Sequence, residues 1–105
     1  MKDRVIDQFL KGSKGLEDKI KVIYLFGSRA RASQRPDSDY DLLLVVHENF
    51  SFSDKDKLYD QVMNILLETG RLVSLKIFKE SRFQRLVRLE TPFIQNVLRE
   101  GIKIG

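Results

Sequence analysis

Two short groups of residues in this chain of 105 have types and spacing suited to chemistry. The first is Gly27-Ser28, directly after the apolar run 21–26, KVIYLF. Glycine permits a sharp turn and lets a phosphate come close to the backbone. A helix beginning just after it would turn free N–H groups and the positive end of its dipole toward an anion, and the Ser28 hydroxyl would add a hydrogen bond. An ordinary strand-to-helix turn capped by Ser28 would use the same residues. The second group is Asp39-Tyr40-Asp41, which opens the run 39–47, DYDLLLVVH. On a strand, residues two apart leave the same face with Cα atoms ~6.6 Å apart. Asp39 and Asp41 are therefore expected to project together, with Tyr40 on the opposite side. Like charges this close repel, and a divalent cation removes that cost; oxygen-only ligands suit Mg²⁺ or Mn²⁺. The plainer reading is two solvated acids. The apolar body 42–46 weakens it, because that body makes the strand central and puts the acids at its mouth. Ten residues, 29–38, separate Ser28 from Asp39. A short helix and a return loop fit that length and would bring the turn beside the acids. A phosphate cradle next to a carboxylate pair is what nucleoside triphosphate chemistry requires.

These groups need elements to hold them. Val5, Ile6, Phe9 and Leu10 recur at helical spacing between Asp3 and Lys11, and Gly12 stops the pattern. Residues 21–26 and 39–47 are short and nearly all apolar, as strands buried on both faces are. Residues 29–32 favour a short helix, and 32–38 (ASQRPDS) read as a loop around Pro36. Ser53, with Asp56 three residues on, is expected to cap a helix whose inner face is Leu58, Val62, Ile65, Leu66 and Thr69, ending at Gly70. Residues 71–78 (RLVSLKIF) form a third strand. Ser81 is expected to start a helix facing Phe83, Leu86 and Val87 inward. Thr91-Pro92 starts another, with Thr91 as cap and Pro92 in the first turn, and Gly101 closes it. The order helix, strand, strand, helix, strand, helix, helix predicts an α+β fold: a small mixed β-sheet flanked by helices, spanning 1–105 as one domain.

Composition excludes other chemistry. With no cysteine and a single histidine, His47, the chain has no disulfides, thiol nucleophile or multi-histidine metal site. A net charge of +4 is a weak sign of an anionic partner. No apolar run approaches the length of a membrane span, and the N-terminus lacks the pattern of a signal peptide, so a cytoplasmic protein without membrane contact is expected.

The combination of Gly27-Ser28, a ten-residue gap and Asp39-x-Asp41, led by YLFGSRARA and followed by DLLLVV, resembles the minimal nucleotidyltransferases (MNT proteins). These are the smallest members of the DNA polymerase β-like superfamily. The resemblance runs over nearly the whole chain and includes the ending 91–104, TPFIQNVLREGIKI. It implies the nucleotidyltransferase fold, Gly27, Ser28 and Arg29 on the nucleotide, and Asp39 and Asp41 as catalytic residues holding Mg²⁺ or Mn²⁺. It also implies ATP as substrate. The implied partner is a small all-helical HEPN-type toxin, on whose tyrosine AMP is placed by this chain as antitoxin. One departure stands out. Larger relatives carry a third carboxylate on a later strand, and the matching position here holds Ser74, with Lys76 as its same-face neighbour. An unprotonated carboxylate can take a proton from an acceptor; a serine hydroxyl cannot in the ordinary way, and a lysine is protonated unless buried.

The absent acid keeps a second reading open, in which the same fold neutralises its partner by binding alone. An enzyme acting on small molecules, such as an aminoglycoside nucleotidyltransferase, would need an acceptor domain for which there is no length. Arg29, Arg31 and Arg35 could steady a triphosphate or form a solvated face. Asp37 reads as a turn residue, His47 as structural or exposed, and Glu48 as too far along its strand to help the acids. Lys79, Arg82, Arg85 and Arg88 lie along one side of a predicted helix and read as a solvated face. No aromatic interleaving supports nucleic-acid binding.

Overall fold

The computed structural model describes residues 3–27 and 39–105. The expected helix 29–32, the loop 32–38, and Ser28, Arg29, Arg31, Arg35 and Asp37 all lie outside the described residues. The elements are α1 (Arg4–Gly12), a 3-10 turn (Lys14–Lys19), β1 (Ile20–Phe26), β2 (Tyr40–Val46) and α2 (Phe52–Thr69). After them come β3 (Val73–Lys79), α3 (Glu80–Arg88), α4 (Pro92–Glu100) and β4 (Ile102–Lys103). The strands form one sheet in the order β3-β2-β1-β4. Strand β2 runs antiparallel to β1 and parallel to β3, so the sheet is mixed.

Strand β2 is central because it is the most apolar. Leu42 to Val46 are all buried, and alternation sends them to two separate cores. Tyr40, Leu42, Leu44 and Val46 pack with Ile23 and Leu25 of β1 against α1 and α2, through Phe9, Leu58 and Ile65. Leu43 and Val45 pack with Val22 of β1 against α4 and α3, through Ile94, Val97, Phe83 and Leu86. Burying one such aliphatic side chain contributes about 1.5–3 kcal/mol, so this one strand anchors both layers.

Several helix ends differ from expectation. The cap of α2 is Ser51, not Ser53. The Asp54 amide donates to Ser51 Oγ at 3.2 Å, and the Ser51 amide donates to Asp54 Oδ2 at 2.8 Å. Lys19, from the 3-10 turn, donates to the same carboxylate at 2.8 Å. This tertiary ion pair selects Ser51/Asp54 over the equally spaced Ser53/Asp56. Gly70 ends α2 in the left-handed conformation, φ 72°, as the pattern implied. Helix α3 begins at Glu80, one residue before Ser81. The Ser81 amide and hydroxyl both donate to the Glu48 carboxylate, at 3.0 and 2.9 Å. Glu48 therefore serves a helix N-terminus. Thr91 holds the cap position of α4, but its hydroxyl donates to the Leu86 carbonyl instead of accepting from the helix.

Two elements had no signal of their own. The 3-10 turn follows Ser13, and β4 follows Gly101 as a two-residue strand that covers the open edge of β1. No helix among the described residues is long and apolar enough to cross a membrane.

Candidate functional site

The start of β2 lies against the end of β1, with Asp41 in register with Phe26. Gly27 follows Phe26 directly and adopts φ 75°. A Cβ built on Gly27 would stand 2.5 Å from Asp41 Oδ2. Any side chain here would be strained and would displace the carboxylate. The requirement for glycine thus comes from two sides, the backbone conformation and the closeness of the acid.

Tyr40 fixes which way Asp41 points. Its ring is buried on the α1 side of the sheet, and its hydroxyl donates to Asp3 Oδ2 at 2.7 Å. Asp3 also caps α1, accepting from the Val5 and Ile6 amides through Oδ1. The Tyr40 amide donates to the Leu72 carbonyl at 2.9 Å and fastens the start of β2 to β3. With Tyr40 locked inward, alternation turns Asp41 to the opposite face, where Leu43 and Val45 also lie. Asp39 is exposed at the mouth. Sequence reasoning assigned Asp3 only to a helix start. Its hold on Tyr40 spans 37 positions and leaves no local pattern.

The electrostatics agree with this arrangement. Asp41 is half-buried, and its carboxyl is pushed above the usual range, first by burial and then by the charge of Asp39, with Lys76 acting against both. Asp39 is thus close enough for its charge to oppose the ionisation of Asp41. Two such oxygen donors suit a hard divalent cation, which would remove the repulsion. No group of three metal-ligating side chains occurs among the described residues, so most of the ion's shell would come from water or a bound anion.

On the far side of Asp41 from Gly27 stands Ser74, its register partner on β3. Parallel neighbours in register share a face. Ser74 and, one row along, Lys76 therefore share the face of Asp41. The third-strand position singled out in the sequence is thus beside the acid pair and carries a hydroxyl. A groove of about 540 Å³ lies elsewhere on this face, between α3 and α4. It is lined by Val22, Tyr24, Val45 and Phe83 among others, and by none of these site residues. Phe93 of α4 meets Phe26 edge-on, with ring centres 5.4 Å apart, next to the site. His47 is exposed and 3.6 Å from Glu80, away from the acids. Lys79, Arg82, Arg85 and Arg88 are exposed, as a solvated helix face would be.

A mixed sheet that presents an Asp-x-Asp pair beside a glycine turn defines a nucleotidyltransferase. The family described as "Polymerase beta, Nucleotidyltransferase" matches residues 6–104, and the chain belongs to it. Two relatives from Methanocaldococcus jannaschii are similar along their length. "Putative protein adenylyltransferase MJ0141" is 31% identical over 101 residues, covering 95% of each chain. "Putative protein adenylyltransferase MJ0604" is 31% identical over 100 residues, covering 94% of this chain and 93% of its own. Among solved structures, a toxin–antitoxin with AMP-PNP superposes with a TM-score of 0.60 at 18% identity, over 93% of this chain and 70% of that one. A mutant of the toxin–antitoxin MntA-HpeT superposes at 0.58 and 16% identity, over 93% and 70%. At these identities the two structures establish the fold.

Proposed function

We propose that this chain transfers AMP from Mg-ATP to a protein acceptor, a tyrosine of a small all-helical HEPN-type toxin, and so acts as the antitoxin in the cytoplasm. The observation that carries the reading is the Asp41 carboxylate packed against the Gly27 turn, with Asp39 beside it. The names of the relatives support the protein acceptor, and the solved neighbours support the toxin.

Asp39 and Asp41 would hold Mg²⁺ or Mn²⁺, which supplies charge neutralisation at the phosphates when bound. Gly27, with no side chain at the end of β1, would leave its backbone open to a phosphate, and the family resemblance assigns Ser28 and Arg29, which lie outside the described residues, to the nucleotide as well. The acceptor oxygen attacks the α-phosphorus as its proton leaves to solvent. The bond from that phosphorus to the bridging oxygen breaks, and pyrophosphate departs. No carboxylate stands at position 74 to take the proton, so a phenol, with its pKa near 10, is a better acceptor than an aliphatic alcohol.

The second reading, neutralisation by binding alone, is favoured by Ser74 at the register position beside Asp41. One experiment separates the two. The purified chain is mixed with its partner and α-labelled ATP with Mg²⁺, and the products are resolved by mass spectrometry. AMP on the partner supports transfer. A stable complex without label supports binding alone. Strong labelling of this chain and none of the partner rejects the antitoxin reading.

A further inference from the structure

The acid pair has a counterpart of opposite charge on the next strand. Lys76 is in register with Leu43 of β2 and leaves the sheet on the same face as Asp41, one row along from Ser74. It is exposed and forms no ion pair among the described residues, yet its charge acts on Asp41. An ammonium with no ion-pair partner among the described residues, one row along from a carboxylate and not closed onto it, can meet another anion.

A second divalent cation is poorly served at the same place. Paired metal ions sit ~3.5–4 Å apart and need carboxylate oxygens on both sides to offset their mutual repulsion. Asp39 and Asp41 can supply one side. On the other side stand the neutral hydroxyl of Ser74 and the positive charge of Lys76, and no third acid joins the pair among the described residues. A lysine there repels a second cation and attracts phosphate oxygens.

We propose that this site takes a single divalent cation, and that the Lys76 ammonium replaces the second by binding phosphate oxygens of the nucleotide from the β3 side. The inference rests on the nucleotidyltransferase reading above. Its chemical consequence is that one fixed charge of the chain does part of the charge neutralisation otherwise left to metal.

Equilibrium dialysis of the full chain against Mn²⁺ and an α,β-methylene analogue of ATP, in which the bond that AMP transfer breaks is blocked, tests this without any turnover. The wild type should retain one Mn²⁺ for each bound analogue. Lys76→Met should bind the analogue about tenfold more weakly, as expected for loss of one charge-assisted contact, and Lys76→Arg should restore most of the affinity. Joining Ser74→Asp to Lys76→Met should admit a second Mn²⁺. Two Mn²⁺ per analogue in the wild type would overturn the proposal, as would unchanged affinity in Lys76→Met. A wild type that retains neither analogue nor Mn²⁺ would overturn the nucleotidyltransferase reading itself, which keeps the two failures apart. The wild-type stoichiometry and the Met/Arg pair decide the matter even if the double variant does not fold.

Discussion

Asp54 and Asp41 are both aspartates drawn out of water at the start of a regular element, and the fold treats their charges in opposite ways. Asp54 is nearly fully buried at the N-terminus of α2. It accepts from Lys19 Nζ and from the Ser51 amide, and these contacts hold its carboxyl well below the usual range, at about 2. Asp41 is half-buried at the mouth of β2, with Asp39 as its like-charged neighbour, and its carboxyl is pushed up. One acid has its hydrogen-bonding shell completed by the protein. The other is left with burial and repulsion that Lys76 offsets only in part. A carboxylate that serves the architecture is satisfied within the chain. On the function proposed above, a carboxylate that serves chemistry keeps its ligand sites open, and the fold would carry the electrostatic cost until a cation and nucleotide arrive.

The strongest way to break this contrast is at the open site. Asp39→Asn joined with Asp41→Asn should reduce AMP transfer to background and leave the circular-dichroism spectrum unchanged. Asp41→Asn alone should melt no lower than the wild type without metal, because it removes an ionised group that the fold disfavours. A clear fall in melting temperature would mean that Asp41 is structural, as Asp54 is. Next in size is Gly27→Ala. It forces a side chain into a left-handed backbone and against Asp41 Oδ2. Misplacing a reacting group by an ångström can cost about 10²-fold in rate, so transfer should fall by roughly ten- to a hundredfold. Melting should shift only by the ~1–2 kcal/mol of one strained residue.

The satisfied site should show the reverse profile. Ser51→Ala removes the side-chain half of the capping box and should cost about 1 kcal/mol in urea unfolding, with transfer unchanged. An effect on transfer equal to that on stability would erase the distinction between the regions. The smallest expected effect is in the pH dependence of melting. Asp54 has a depressed folded pKa, so its contribution is present above the unfolded value of 3.8 and is lost as pH falls toward about 2. Asp41 has a raised one, so its contribution is present below 3.8 and is lost as pH rises through its elevated value. Asp54→Asn should flatten the acid limb of the metal-free melting curve, and Asp41→Asn should remove the part of the fall in stability that sets in as pH rises above 3.8. Identical effects of the two substitutions would contradict the opposite shifts.

Much of this was legible in the residues because the signals are local. Alternation alone put Asp41 on the face opposite Tyr40, and the unbroken apolar run after them marked β2 as central. Glycine after Thr69 ended α2 through a backbone conformation that other residues adopt reluctantly. Local pattern could not choose between two serines with acids three residues on. Ser51 caps α2 because Lys19, from a different part of the chain, pairs with Asp54 and not with Asp56. The 3-10 turn and β4 were silent for a related reason. A two-residue strand has no period, and it exists because the edge of β1 offers unpaired amides and carbonyls.

By itself, then, the sequence determined which residues could do chemistry, how far apart they sit along the chain and which way each faces on its own strand, since these follow from backbone geometry within a few residues. The tertiary structure alone decided what stands beside them. That Gly27 abuts Asp41, that Asp3 anchors Tyr40, and that Ser74 and Lys76 flank the acids on the face they share are consequences of strand order and register. Those are set by burying two apolar faces at once, a condition on the whole chain that no segment of it contains.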